Sequence, residues 1–215
     1  MSALDVFSLS GQVAIVTGGG AGIGRAISEL FAAAGAALVV SDLKKETADE
    51  VANAIIAAGG RAIGVACDVT NGDARKALVD AAIGQFGKVS ILVNNAGGGA
   101  ILNISSMAGE NKNVRMASYA SSKAAENHLT RNIAFDLGPK GIRVNAIAPG
   151  AIKTAALATV LTPEIEKAML KHTPLQRLGE GRDIALAALF LCSPASSWVS
   201  GQVLTVSGGG VQELD

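Results

Sequence analysis

The feature that most constrains this chain is a glycine-rich octapeptide, Thr17-Gly18-Gly19-Gly20-Ala21-Gly22-Ile23-Gly24, wedged between a strand-like run and a helix-like run. Gln12–Thr17 (QVAIVT) reads as a buried strand, and Gly22–Ala34 reads as an alanine-rich helix closed by Gly35. The same alternation recurs along the chain. Strands are expected at Ala37–Ser41, Arg61–Cys67, Ile91–Asn94, Ile101–Ser105, Arg143–Ile147 and Gln202–Val206. Helices are expected at Glu46–Ala58, Asp73–Phe86, Ser118–Leu137 and Asp183–Cys192, most of them stopped by glycine or proline. Strand runs that are apolar on both faces belong in a parallel sheet covered by helices. The expectation is an α/β, Rossmann-like, doubly wound parallel sheet in a single domain over residues 1–215.

One connection breaks the rhythm. After Asn94 only Asn95-Ala-Gly-Gly-Gly-Ala100 precedes the next strand. A crossover between parallel neighbours takes roughly a dozen or more residues, usually a helix. Two alternatives follow: the two strands are not ordinary parallel neighbours, or a crossover helix is absent.

Composition narrows the function. Apolar residues make up 49% and aromatics 3%, so the core is aliphatic. Basic and acidic residues balance at 18 each, which argues against nucleic acid or an anionic membrane as partner. Cys67 and Cys192 lie in apolar runs and fit no metal spacing, so they read as buried free thiols of a reducing compartment. No metal is expected. Stretches such as Leu30–Val40 are too short to span a bilayer, and the N-terminus lacks signal-peptide features. The expectation is a soluble, cytoplasmic protein.

The glycine turn carries the first chemistry. Gly18 permits the tight turn, Gly22 lets backbone approach a pyrophosphate, and Gly24 lets helix and strand pack closely. The helix N-terminus offers amides and a partial positive charge to phosphates. Asp42 stands eighteen residues after Gly24, where an acid accepts from an adenosine ribose and repels an added phosphate. That favours NAD over NADP. Lys44 and Lys45 read as a solvated first turn. Asp68 is open to two readings, an adenine contact or an acid near a helix start.

Tyr119 and Lys123 sit four apart on the long expected helix, hence on one face. A nearby ammonium favours the phenolate and makes the phenol a usable base near neutrality. Ser106 lies just past a strand end, on the cofactor side of a parallel sheet. His128 and His172 have no partners at catalytic or metal spacing. Trp198 is expected to pack against the last strand, and the polar, helix-prone 154–171 stretch stands apart from the sheet rhythm.

The ordered set resembles the short-chain dehydrogenase/reductase family: the turn at 17–24, Asn94-Asn95-Ala96-Gly97, Ser106, Tyr119-Ala-Ser-Ser-Lys123 and Pro149-Gly150-Ala-Ile152-Lys-Thr154. Residues 105–123 and the tail from Leu191 to Leu214 resemble the bacterial branch that oxidises the 7-hydroxyl of bile acids with NAD. The resemblance implies that Tyr119 takes the hydroxyl proton, Lys123 tunes it and binds the nicotinamide ribose, and Ser106 holds the reacting oxygen. It implies cofactor contacts from Gly18, Gly22, Ile23, Gly24, Asp42, Leu43, Asp68, Val69, Asn95, Ile152 and Thr154. It implies substrate contacts from Gly99 and Asn111, where Asn111 reads equally well as a loop cap. It also implies a flap over the substrate at 154–171 and a homo-oligomer, a tetramer in the family. The family carries a helix between the strand at 91–94 and the serine strand. That helix supplies a catalytic asparagine and much of a subunit interface, and no residue here matches the asparagine. Two functions therefore compete: an NAD-dependent dehydrogenase of a steroid-like secondary alcohol, and a non-catalytic NAD-binding protein.

Overall fold

Every strand run found in the sequence joins one sheet. The computed structural model describes residues 5–93, 100–111, 116–159 and 161–210. Seven parallel strands stand in the order β3-β2-β1-β4-β5-β6-β7. They are β1 (Val13–Thr17), β2 (Ala37–Asp42), β3 (Arg61–Ala66), β4 (Ile91–Val93), β5 (Ala100–Ile104), β6 (Arg143–Pro149) and β7 (Val203–Val206). The helices are α1 (Gly22–Ala33), α2 (Lys45–Ala57), α3 (Gly72–Phe86), α4 (Ala117–Leu137), α5 (Ala155–Ala158), α6 (Pro163–Lys171) and α7 (Gly181–Cys192). The 154–171 stretch thus holds two short helices outside the sheet. Asn71, not Asp68, caps α3, accepting from the Asp73 and Ala74 amides.

The period-2 geometry of strands sorts the apolar side chains onto two faces. Ala14, Val16, Leu38, Val40, Ile91, Val93 and Leu102 face α1, α2 and α7 in one continuous core with Phe31 and Ile184. Ile15, Val39 and Leu92 face α3. Ile101 and Val144 form a separate cluster with α4. The second face is therefore split between β4 and β5.

That split falls at the short connection. β4 and β5 are parallel neighbours, with Ile91 opposite Ala100 and Val93 opposite Leu102. This overturns the first alternative. Parallel pairing survives without a helical crossover because the flanking pairs, β1 with β4 and β5 with β6, hold both strands in the sheet. Asn94, Asn95, Ala96, Gly97 and Gly99 lie outside the described residues.

Both thiols are buried as expected, and burial pushes the Cys192 thiol up to about 12. Trp198 departs from its expectation: it is 98% exposed rather than packed on β7. It follows a 3-10 turn at Pro194–Ser196. No helix among the described residues is long and apolar enough to cross a membrane.

Phe31 is fully buried where α1 meets the continuous core. Phe31→Ala should cost about 3–5 kcal/mol of unfolding free energy, read by urea denaturation. At the start of α7, Arg177 holds both carboxylate oxygens of Asp183 at 2.7 and 2.8 Å, and the Glu180 amide donates to Oδ2. The Arg177 bonds, then the amide, hold the Asp183 carboxyl down at about 2. A depressed carboxyl contributes stability that is complete above its unfolded pKa of about 3.9 and is lost as pH falls toward its folded value. Asp183→Asn should therefore flatten part of the loss in urea midpoint between about pH 5 and about pH 2, the window that this shift defines.

Candidate active site

The strand order reverses between β1 and β4, so their C-terminal ends open a crevice. The glycine turn lines it. Thr17 Oγ1 donates to the Val93 carbonyl at 3.2 Å, which ties the ends of β1 and β4 together. Gly18 adopts φ 61°, the left-handed turn expected of it. Gly24 does something closer than helix-to-strand packing. A Cβ there would overlap the Gly18 carbonyl oxygen and lie 2.8 Å from its carbon, so the first turn of α1 rests on the turn's own backbone.

The α1 N-terminus is bare. Its cap residue Ala21 offers no side-chain acceptor, and the first turn holds no acid. The first amides are thus left for an external anion. A Cβ at Gly22 would meet only Thr154 Cγ2, at 3.8 Å, which leaves room for a phosphate at the backbone. Ile23 packs partly buried against the core. Thr154 follows β6 and caps α5, its Oγ1 accepting from the Leu157 amide, while nearby Ile152 is buried. Asp42 ends β2, and its Oδ2 accepts from the Gly20 amide at 3.1 Å. The Cys67 amide bonds the Asp42 carbonyl, which sets Asp68 and Val69 beside Asp42 and Leu43. Leu43 and Val69 are 69% and 49% exposed, and Thr70 holds the Asp68 carboxyl below its ordinary range. Lys45 pairs with Asp49 at 2.6 Å, as a solvated first turn should. An uncapped helix start, an open turn and a ribose-level acid fit a dinucleotide.

Across the crevice, Ser106 caps a 3-10 turn at Met107–Gly109 and accepts from the Ala108 amide at 3.1 Å. Two contacts fix that turn on α4. Ser105 Oγ donates to the Lys123 carbonyl at 3.3 Å. Gly109 lies so close that a Cβ would stand 2.8 Å from the Lys123 carbonyl carbon and 2.9 Å from the Ala124 nitrogen. Tyr119, 44% exposed, and Lys123 share one face of α4, with Nζ 6.0 Å from the ring centroid. Lys123 Nζ also donates to the Ile104 carbonyl at 3.0 Å and to Glu126 Oε2 at 2.8 Å.

Ser106 and Tyr119 line a cavity of about 350 Å³ with Met107, Met116, Met169 and His172. Three of the chain's four methionines stand there, a soft apolar wall suited to a bulky apolar ligand. His172 and Gly109 were not legible as site residues, because neither has a local sequence partner; α6 brings in the first and a backbone contact the second. Asn111 follows the 3-10 turn, its amide donating to the Met107 carbonyl. Asn127, one turn beyond Lys123, is buried with both amide atoms unpaired, and nothing in the structure explains it. A larger cavity of about 610 Å³ includes Ile91 and Ala100, the first residues of β4 and β5, at the wrong end of the sheet for this chemistry. Among the described residues no acid, histidine and cysteine cluster could hold a metal.

This fold and crevice define a dinucleotide-dependent oxidoreductase, and the chain belongs to the short-chain dehydrogenase/reductase family. Residues 12–98 match the family model described as short chain dehydrogenase, and residues 96–210 match that of Enoyl-(Acyl carrier protein) reductase. The chain is 53% identical to the 7alpha-hydroxysteroid dehydrogenase of Escherichia coli (strain K12), over 98% of each chain. It superposes on a 7 alpha-hydroxysteroid dehydrogenase solved with NADH and 7-oxo glycochenodeoxycholic acid, at TM-score 0.94 and 52% identity, covering 100% of both chains. A hydroxysteroid dehydrogenase from Escherichia coli superposes at TM-score 0.90 and 52% identity, covering 97% of this chain and 100% of that one. The E. coli alignment runs over 251 positions against a chain of 215, so that relative has at least 36 residues where this chain has none. The two family models meet at residues 96–98, in the short connection after β4.

Gly109→Ala should push the Ser106 turn off α4. Dehydrogenase turnover should fall about 10- to 100-fold, because a misplacement of an ångström is enough to do so. Dinucleotide binding, measured by fluorescence titration, should be unchanged, since the glycine turn lies on another strand.

Proposed function

We propose that this protein is an NAD-dependent dehydrogenase that oxidises a bulky secondary alcohol, the 7α-hydroxyl of a bile acid or similar steroid, to the ketone. The observation that carries the reading is the convergence of Ser106 and Tyr119 on one methionine-walled cavity, with the Lys123 ammonium beside the phenol. The likeness to an enzyme solved with NADH and a 7-oxo bile acid supports the same reading.

Gly18, Gly22, Ile23 and Gly24 cradle the pyrophosphate, with the α1 amides as donors. Asp42 binds the adenosine ribose and, through its charge, disfavours NADP; Leu43, Asp68 and Val69 border the adenine. Ile152 and Thr154 hold the carboxamide end. NAD, when bound, supplies the hydride acceptor. Ser106 donates to the substrate oxygen and keeps it facing Tyr119. Tyr119, as phenolate, takes the hydroxyl proton while the carbinol carbon gives up its hydrogen with the electron pair. Lys123 favours that phenolate by charge and donates to the nicotinamide ribose. Asn111 borders the substrate. Asn95, among the cofactor contacts, and Gly99, among the substrate contacts, are part of the proposal but lie outside the described residues. The 154–171 stretch covers the substrate, and the exposed Leu129 and Phe135 of α4 support a homo-oligomer. A cytoplasmic location goes with this reading. The alternative of a non-catalytic binding protein is not favoured, because Ser106 and Tyr119 line an open cavity and Lys123 is retained beside the phenol ring.

Wild-type protein given NAD and a 7α-hydroxylated bile acid should produce NADH, and Tyr119→Phe should abolish it. Binding of NAD without turnover on any bulky secondary alcohol would overturn the enzyme reading. Asp42→Ser should raise the NADP-to-NAD ratio of kcat/KM by at least about tenfold, the scale of one lost charge repulsion.

A further inference from the structure

Lys123 is engaged twice by its own chain. An ammonium has three N–H donors. One goes to the Ile104 carbonyl at 3.0 Å and one to Glu126 Oε2 at 2.8 Å, which leaves a single donor for the crevice. The pair is about four-fifths buried on both sides, with side-chain exposures of 22% and 23%. Glu126 is three residues after Lys123 and seven after Tyr119, so all three share one face of α4.

We infer that Glu126 is a positioning residue: it fixes and partly neutralises the Lys123 ammonium, and so sets the proton affinity of Tyr119. This rests on the reading of Tyr119 as the base and Lys123 as its tuning charge. An unpaired ammonium near a phenol favours the phenolate, and Nζ stands 6.0 Å from the ring centroid. With a carboxylate at 2.8 Å from Nζ, the phenol sees an ion pair instead, and the effect of the cation is reduced. At the same time the carboxylate aims the lysine's remaining donor.

The other charged groups around these three are few. On β6 the charged side chain is Arg143, which donates to the Leu191 and Ser193 carbonyls. The Met107–Gly109 turn carries none, and Glu110 after it is exposed. The 3-10 turn after α4 brings Lys140, at the far end of that helix. β5 brings the uncharged Asn103, bonded to Thr130. Across the cavity stands His172. Glu126 is thus the one carboxylate that pairs with Lys123 among the described residues.

Tyr119 is the only tyrosine in the chain, so an ultraviolet titration of phenolate reports on it alone, with or without activity. In Glu126→Gln the hydrogen bond can persist while the charge is lost. The phenolate midpoint should then fall by roughly half a pH unit to one unit at low salt, a three- to tenfold rise in acid constant, and the shift should shrink in about 1 M salt. The acidic limb of the kcat/KM profile for alcohol oxidation should move down with it. An unchanged or raised midpoint in Glu126→Gln overturns the inference. Lys123→Met separates the two claims. If it raises the midpoint while Glu126→Gln does nothing, only the role of Glu126 fails; if it too does nothing, the Tyr119–Lys123 reading fails. Circular dichroism and the urea midpoint of each variant show whether a shift comes from charge or from loss of fold.

Discussion

The structure depends on backbone lying directly on backbone at two places where a Cβ could not fit. At the first, α1 rests on the turn that follows β1, with Gly24 against the Gly18 carbonyl. This aims uncapped helix amides into the crevice where the strand order reverses. At the second, Gly109 lies on the α4 backbone at Lys123, which holds the Ser106 turn against the helix that carries Tyr119. One contact builds the anion cradle and the other the opposite wall.

The sheet tolerates a connection that the usual arithmetic of parallel strands does not allow. Six residues replace a helical crossover, and β4 and β5 still pair. The cost shows in the packing. The face toward α1, α2 and α7 has one continuous core, whereas the opposite face is divided into an α3 cluster and an α4 cluster. The E. coli relative has at least 36 residues where this chain has none. The α4 helix shows Leu129 and Phe135 to solvent, at 51% and 86% exposure.

Much of the fold was legible because burial on both faces leaves an unmistakable pattern. Short β-branched runs such as Val13–Thr17 and Ala37–Asp42 have no polar side to present, so only a covered parallel sheet accepts them. Element ends shifted by a residue or two, since capping groups such as Asn71 compete with neighbours for the first turn. Trp198 was misread because an aromatic beside a strand run packs only if the intervening turn points it inward, and here it does not.

The sequence by itself determined the local chemistry: the strand–glycine–helix turn, the acid eighteen residues on, and a tyrosine and lysine one helical turn apart. Each is a short-range relation, set by chain geometry within a few residues or one β-α-β unit. Only the tertiary structure decided what meets across the crevice. His172 faces Tyr119 because α6 folds back over the β6 end, Gly109 matters because a helix passes behind it, and β4 pairs with β5 despite the short link. Such contacts join residues far apart in the chain, and no local pattern encodes them, because their energy comes from packing that exists only once the whole sheet has formed.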